Sequence, residues 1–115
     1  MEPFRVMVDD AREGFGMDIV CRNYNAGGCV VRLMGKRGID ELYLDFDLGP
    51  GKSGGDLLKD FLSNEMLKDT VEIFLVTDNP VGREAMKNTL TDFGYVKKGG
   101  AYVKEQKEEP NVCSV

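Results

Sequence analysis

The fold is decided by the stretch Glu41-Leu42-Tyr43-Leu44-Asp45-Phe46-Asp47-Leu48-Gly49, an apolar strand that runs directly into two carboxylates and a glycine. Its central residues are apolar at successive positions, which indicates a strand covered on both faces. This pattern is typical of a central strand in a parallel or mixed sheet with helices on each side. Ligands of such sheets bind at the carboxyl ends of the strands, where the strand order reverses. The two carboxylates therefore lie where a binding site is expected.

A second apolar run, Phe4 to Val8, also ends in acidic residues, because Asp9 and Asp10 follow it directly. Another strand is predicted at Met17 to Cys21, so only residues 9–16 connect the two. A connection between parallel strands usually needs a dozen or more residues. The first crossover helix is therefore expected to be short or missing.

The first predicted helix is capped by Asn23 or Asn25 and ends at Gly38. Its first turn contains Gly27 and Gly28, each of which costs about 1 kcal/mol relative to alanine. We therefore expect that turn to be irregular. The spacing of a helical face is met by Ala26, Cys29, Val30, Leu33 and Met34.

The second helix is predicted from about Gly54 to Leu67, with Ser53 and Asp56 at the spacing of a capping box. Its inward residues are Leu57, Leu58, Phe61, Leu62 and Met66. The run Val71 to Val76 follows and is apolar at nearly every position, which again predicts an internal strand.

The third helix is predicted to begin with Asn79 as its cap and Pro80 at its first position, and to end near Gly94. Its inward residues are Val81, Ala85, Met86 and Leu90. Two strands between Tyr95 and Lys104, separated by Gly99-Gly100, then predict a hairpin with a two-residue turn.

The composition indicates one globular α/β domain. The chain has 115 residues, of which 42% are hydrophobic and 30% charged, an ordinary mixture for a folded protein. We assign residues 1–104 to this domain and residues 105–115 to a flexible acidic tail. The sequence has no apolar run long enough for a membrane span and no signal peptide, so we expect a cytoplasmic protein without membrane contact.

Several kinds of chemistry are excluded by composition. The sequence has no histidine, so nucleophile pairs with histidine and histidine-ligated metals are ruled out. The net charge of -5 disfavours nonspecific nucleic-acid binding, so a terminal phosphate is the only nucleic-acid feature expected as a ligand. The 3 cysteines lack CxxC spacing, which indicates neither a disulfide framework nor a zinc site. Carboxylates, an oxygen-bound cation, lysine, arginine and backbone amides remain.

Polar residues follow three predicted strands, at ends that share one edge of a parallel sheet. They are Asp9, Asp10 and Arg12, then Asp45 and Asp47, then Thr77, Asp78 and Asn79. Crowded carboxylates must either protonate or bind a cation, and such oxygen ligands suit Mg²⁺ or Mn²⁺. We therefore predict that Asp9, Asp10 and Asp45 converge on a single cation. The alternative is that each aspartate is an ordinary turn or cap residue.

Features that bind phosphate lie beside the acids. The predicted helix N-termini at Ser53-Gly54-Gly55 and Asn79-Pro80-Val81-Gly82 offer free N–H groups. Arg12 and Arg83 add positive charge nearby. The loop from Gly49 to Gly55 lacks the GxxxxGK[ST] spacing of a P-loop and is more typical of a mobile loop.

This arrangement resembles the receiver domain of response regulators. In that family an acid pair binds Mg²⁺, a central aspartate accepts a phosphoryl group, and a threonine and a lysine contact that group. The corresponding residues here are Asp9 and Asp10, Asp45, Thr77, and Lys97 or Lys98. The resemblance implies a single-domain, flavodoxin-like sheet that is mostly parallel, with a strand order near 2-1-3-4 and here a C-terminal hairpin.

A closer resemblance is to a small receiver-like family, the cyclic-phosphate processing receiver domain. Its motifs LDD-x-R, LD-x-DLG and NPVGRE-x-M are similar to Val8 to Arg12, Leu44 to Gly49 and Asn79 to Met86. Many members have histidine where this chain has Phe46 and Val76. If those histidines perform acid–base chemistry, this chain is expected to bind a phosphate without fast turnover.

The first functional hypothesis is therefore a site dependent on Mg²⁺ or Mn²⁺ that binds, and in its strongest form hydrolyses, a phosphate ester or cyclic phosphate. The metal ligands are Asp9, Asp10 and Asp45, the catalytic residues are Asp45, Asp47 and Thr77, and the phosphate-binding residues are Arg12, Thr77, Asn79, Arg83 and Lys98. The second hypothesis is a non-catalytic module that binds a partner protein or sequesters a nucleotide. The third is phosphorylation of Asp45 by a kinase.

Overall fold

The computed structural model describes residues 2–105, so residues 106–115 of the predicted tail lie outside the described range. Within that range the chain forms six strands and three helices. The strands are β1 Arg5–Val8, β2 Ile19–Cys21, β3 Glu41–Leu44, β4 Glu72–Leu75, β5 Tyr95–Lys98 and β6 Ala101–Lys104. The helices are α1 Tyr24–Met34, α2 Gly54–Ser63 and α3 Pro80–Asp92. None of these helices is long and apolar enough to cross a membrane.

The strands form one sheet in the order β2-β1-β3-β4-β6-β5. Strands β2, β1, β3 and β4 are parallel, and β6 pairs antiparallel with both β4 and β5. The predicted strand order and the C-terminal hairpin are therefore confirmed. The register aligns Val8 with Leu44 and Leu44 with Leu75, so β1, β3 and β4 end at one level. Their following residues consequently meet at one edge of the sheet.

The three helices of the described range pack on one face of the sheet. Each helix leads from one strand to a strand that lies closer to the β5 edge of the sheet. Right-handed crossovers that all run in one direction across a sheet place their helices on the same face. Neighbouring helices also contact each other, α1 with α2 and α2 with α3. The strand residues beneath them are fully buried: Val6, Val8, Leu42, Leu44 and Ile73. The prediction of helices on both sides of β3 is therefore wrong.

The opposite face is covered only in part by the described residues. The step from β1 to β2 runs in the reverse direction, so its connection falls on this second face. That connection, residues 9–18, contains no helix, which confirms the missing first crossover helix. It packs Gly14 against Val20. Beyond the loop, the half-buried rings of Tyr43 and Phe74 stack with their centroids 4.4 Å apart.

Helix α1 is regular from its first turn, so the predicted irregularity is wrong. Asn23 caps it by accepting a hydrogen bond from the Ala26 amide. Gly27 is buried because α1 lies so close to the sheet that a β-carbon there would come within 2.9 Å of Val8. The predicted apolar face is correct in part, because Ala26, Val30 and Met34 pack against the core. Leu33, however, is 82% exposed, whereas Val31 is buried.

The other helix boundaries follow their capping signals. Ser53 and Asp56 form the predicted capping box of α2, although the helix ends at Ser63 rather than near Leu67. In α3, Asn79 is the cap and Pro80 occupies the first turn, as predicted. The inward face of α3 contains Met86 and Leu90 as expected, but Val81 and Ala85 are exposed. Gly82 and Thr89 face inward in their place.

Candidate functional site

The first three candidate ligands converge at the edge where β1 and β3 end. Asp9, Asp10 and Asp45 each place a carboxylate oxygen within 4.8 Å of the other two. Asp9 is fully buried and Asp45 is 5% exposed, whereas Asp10 is exposed. The predicted convergence is thus confirmed, and its cause is the register of the two neighbouring strands. Three hard oxygen donors at this separation fit a divalent cation such as Mg²⁺ or Mn²⁺.

Asp9 is held as an anion by the turn that follows it. Its Oδ1 atom accepts hydrogen bonds from the backbone amides of Ala11 and Arg12, both at 2.9 Å. Its Oδ2 atom accepts one from Arg12 Nη1 at 3.0 Å. Burial raises the pKa of Asp9, but these hydrogen bonds and the guanidinium charge outweigh burial and leave the pKa below its ordinary value.

The surroundings of Asp45, in contrast to those of Asp9, raise its pKa. Burial is the largest influence and raises its pKa, and the negative charge of Asp9 raises it further. The Thr77 hydroxyl, the Asp47 backbone amide and the Arg12 charge oppose this rise without cancelling it. The two buried acids therefore differ in proton affinity, because the pKa of Asp9 is lowered and that of Asp45 is raised.

Arg12 provides the positive charge among these acids. Its guanidinium contacts Asp9 at 3.0 Å, Asp45 at 3.6 Å and the exposed Asp78 at 2.9 Å. The hydrogen bond with Asp9 is the main reason that its pKa is raised, and the charges of Asp78 and Asp45 contribute as well. Arg12 was predicted to bind phosphate, and in the structure its guanidinium lies against carboxylates that follow three strands.

Arg22 is a component that the sequence analysis missed. Its Nη1 atom donates to the backbone carbonyl oxygens of Asp9, at 3.2 Å, and Arg12, at 2.7 Å. Because β2 pairs with β1, the residue directly after β2 necessarily lies beside the residue that follows β1. The pairing of β2 with β1 could have identified Arg22 as a neighbour of Asp9, but its use required the strand order to be known first.

The N-terminus of α3 brings the polar residues after β4 into order. Thr77 is buried, and its hydroxyl accepts a hydrogen bond from the Asn79 amide at 3.1 Å. The Asn79 side chain accepts one from the Gly82 amide at 3.0 Å. Arg83 donates from Nη2 to the Thr77 carbonyl at 2.7 Å and is otherwise exposed. Thr77 thus lies beside Asp45, with Asn79 and Arg83 farther along the same edge.

Phe46 separates the N-termini of α2 and α3. A β-carbon at Gly82 would lie 2.3 Å from Phe46 Cγ, and one at Gly55 would lie 3.0 Å from its Cε1 atom. The glycine of the NPVGRE motif is therefore required by the Phe46 ring. Asp47, the next residue, is exposed, and Val76 is half-buried. The sequence has no histidine, either at these two positions or elsewhere.

Lys98 is not brought to the acidic cluster. It lies at the end of β5, and β6 separates β5 from β4. Two strand spacings place the β5 backbone about 10 Å from the β4 backbone. Lys98 pairs with Ala101 of β6. Because Val103 pairs with Glu72 and Tyr102 with Ile73, Ala101 lies level with the middle of β4. Lys98 is therefore several residues short of the sheet edge at which Thr77 lies. Lys97 is exposed on the same strand.

A mostly parallel sheet with buried acids at its switch point, a threonine on the next strand end and a capped helix beside them defines a receiver-like domain. Comparison with known proteins identifies the family. A family model of the cyclic-phosphate processing receiver domain matches residues 4–92. The chain therefore belongs to the cyclic-phosphate processing receiver domain family.

Solved structures show the same fold. A response regulator protein from Burkholderia pseudomallei, with a phosphorylated aspartic acid, calcium ion and citrate, superposes with a TM-score of 0.57 at 15% identity, covering 76% of this chain and 55% of that one. A CheY-like response regulator receiver domain protein from Methanospirillum hungatei JF-1 gives a TM-score of 0.55 at 16% identity, covering 76% of each chain. The chain thus spans about half of the first protein. No curated protein shows significant sequence similarity to the chain.

Proposed function

We propose that this domain binds Mg²⁺ or Mn²⁺ at Asp9, Asp10 and Asp45, and uses that ion to bind a phosphate ester or a cyclic phosphate. The proposal depends on one observation, the convergence of three carboxylates of which two are buried. Buried carboxylates this close repel each other unless a cation or a proton compensates them. The family to which the chain belongs is named for the processing of cyclic phosphates, which favours that class of ligand.

The protein groups around the acids have distinct roles in this proposal. Thr77 donates its hydroxyl hydrogen to a phosphate oxygen, because it lies buried beside Asp45. Asn79 and Arg83 bind the same group at the N-terminus of α3, where the helix dipole favours an anion. Arg12 is close enough to join them. Lys98 is no longer included, because β6 separates its strand from β4.

The chemistry that a bound divalent cation would supply here is polarisation of a phosphoryl oxygen and activation of water. The residues left for proton transfer are carboxylates, and Asp47 is exposed directly after Asp45. Phe46 packs against Gly82 and Gly55, and Val76 has no titratable group. We therefore propose binding with slow hydrolysis rather than rapid turnover, and Asp47 as the base for any turnover.

The metal site is tested by thermal unfolding. Millimolar Mg²⁺ should raise the Tm of the parent protein, because a ligand that binds only the folded state stabilises it by mass action. Asp45→Asn should remove the shift, since it deletes a buried ligand. Asp92→Asn serves as the matched control, because Asp92 is exposed at the end of α3. A Tm that is unchanged by Mg²⁺ and Mn²⁺ in the parent protein would refute the metal site.

The phosphate site is tested with Arg83→Ala. Affinity for a nucleoside 2′,3′-cyclic phosphate, measured by calorimetry at saturating Mg²⁺, should fall by the 1.5–3 kcal/mol or so that is typical of charged hydrogen bonds. Arg37→Ala is the control, because Arg37 is exposed in the turn after α1. Equal affinity in the parent and Arg83→Ala would remove Arg83 from the site.

A non-catalytic module remains the second candidate function, because Phe46 and Val76 occupy the two positions at which the family resemblance implies histidine. Incubating the bound cyclic phosphate with protein and Mg²⁺ distinguishes the two. Slow hydrolysis that is lost in Asp47→Asn would support the proposed enzyme, and rapid hydrolysis would refute the expected slow turnover. Binding without hydrolysis would support a module that sequesters its ligand.

A further inference from the structure

The Arg12 guanidinium and a cation at the acidic cluster would share the carboxylates of Asp9 and Asp45. Arg12 Nη1 lies 3.0 Å from Asp9 Oδ2 and 3.6 Å from Asp45 Oδ2, so it approaches both buried acids at once. Mg²⁺ requires oxygen ligands at about 2.0–2.1 Å in a nearly octahedral arrangement. A guanidinium bonded to these carboxylates would compete with the ion for them, and its charge would repel the ion. The two cations therefore exclude each other.

The backbone of Arg12 is fixed, whereas its side chain is free to move outward. The Arg12 amide donates to Asp9 Oδ1, and the Arg12 carbonyl accepts from Arg22. The side chain itself is 33% exposed, and one of its partners, Asp78, is 99% exposed. The guanidinium can thus leave Asp9 and Asp45 while the turn that positions Asp9 stays in place.

We propose that Arg12 is an internal counterion that neutralises Asp9 and Asp45 in the metal-free protein and is displaced when the cation binds. The displaced side chain keeps its existing contact with Asp78 and turns toward the N-terminus of α3, where it contacts the phosphate. Metal binding therefore precedes phosphate binding, and Arg12 opposes the first step and assists the second. This inference rests on the proposed metal site and assigns a regulator to it.

The test is calorimetric titration of Mg²⁺ into the parent protein and Arg12→Gln. The variant should bind Mg²⁺ about tenfold more tightly, because the ion no longer displaces a charged hydrogen bond. Its metal-free Tm should be lower than that of the parent, and saturating Mg²⁺ should restore it. Arg12→Lys keeps the charge but lacks the planar guanidinium, so its affinity for Mg²⁺ should lie between those of the parent and Arg12→Gln. It also provides a second variant if Arg12→Gln fails to fold.

Arg22→Gln is the matched control, since within residues 2–105 the Arg22 guanidinium donates to carbonyl oxygens of the same loop and to no carboxylate. It should not increase the affinity for Mg²⁺. Inorganic phosphate, titrated at saturating Mg²⁺, should bind less tightly to Arg12→Gln than to the parent. The opposite signs of the two effects distinguish a displaced counterion from a residue that merely stabilises the loop.

The outcomes separate the two proposals. If neither protein binds Mg²⁺, the metal site is refuted and the displacement with it. If the parent binds Mg²⁺ and Arg12→Gln binds it equally or more weakly, the metal site stands and Arg12 is not a competitor. If Mg²⁺ binding strengthens in both Arg12→Gln and Arg22→Gln, loosening of the loop explains the gain and the counterion role is overturned.

Discussion

Neighbouring residues of β3 have opposite surroundings. Leu42 is fully buried beneath the helices, whereas Tyr43 is half-buried on the other face and stacks on Phe74. The difference follows from the direction of the connections. Each helix of the described range joins strands in one direction along the sheet, and the loop of residues 9–18 makes the single reverse step. The same reversal creates the switch point at which Asp9 and Asp45 meet.

The largest expected effect is the difference between truncating one face and truncating the other. Leu42→Ala should lower the free energy of unfolding by about 2–5 kcal/mol, because it leaves a cavity in a closed core. Tyr43→Ala should cost about 1–2 kcal/mol, since it removes one aromatic pair and the hydrogen bond to Glu41. Urea denaturation measures both. Equal costs would mean that the second face is covered in solution as well.

A smaller effect is expected where α3 packs closely against the Phe46 ring. Gly82→Ala should destabilise the protein by about 1–3 kcal/mol, because the new methyl group would overlap the Phe46 ring. Gly28→Ala is the control: its β-carbon meets only Leu57 Cδ1 at 3.8 Å, so a gain of about 0.5–1 kcal/mol is expected from the higher helix propensity of alanine. Adding Phe46→Ala should reduce the cost at Gly82, which a double-mutant cycle would show.

The smallest effect concerns the pH dependence of the metal-free protein. The pKa of Asp45 is raised on folding, so just above its ordinary value the folded state holds a proton that the unfolded state has released. The contribution of Asp45 to stability therefore rises as the pH falls through this window. Asp45→Asn should be at least as stable as the parent at pH 7, and its advantage should shrink as the pH is lowered. An advantage that grows in acid would reverse the assigned pKa direction.

The sequence predicted those parts of the fold that have local signals. The hairpin around Gly99-Gly100 and the cap at Asn79-Pro80 were both correct. The strand order, which has no local signal, was implied by the family resemblance and was also correct. The prediction that helices cover both faces of β3 was wrong. Three consecutive apolar residues are expected whether the second face is covered by a helix or by neighbouring aromatic rings. The inward face of α1 was predicted only in part, since a helix that lies close to the sheet buries Gly27, which an apolar pattern does not count.

The candidate site was predictable where it depends on strand ends. Asp9, Asp10 and Asp45 meet as expected, because parallel strands in register end at one level. Side-chain direction was not predictable in the same way. Arg12 points to carboxylates, and Arg22 joins the loop through a strand pairing between distant parts of the chain. Such contacts depend on the tertiary arrangement rather than on spacing along the sequence.

The short outer strands have a consequence for how copies of this protein behave at high concentration. An unpaired outer strand offers a template on which another chain can add strand by strand, and that growth leads to aggregation. Here β2 has only 3 residues, and β5 ends in the exposed pair Lys97-Lys98. The short edge strand β2 on one side and the two lysine charges of β5 on the other both disfavour such growth. The sheet is therefore protected against fibrous self-assembly at both of its margins.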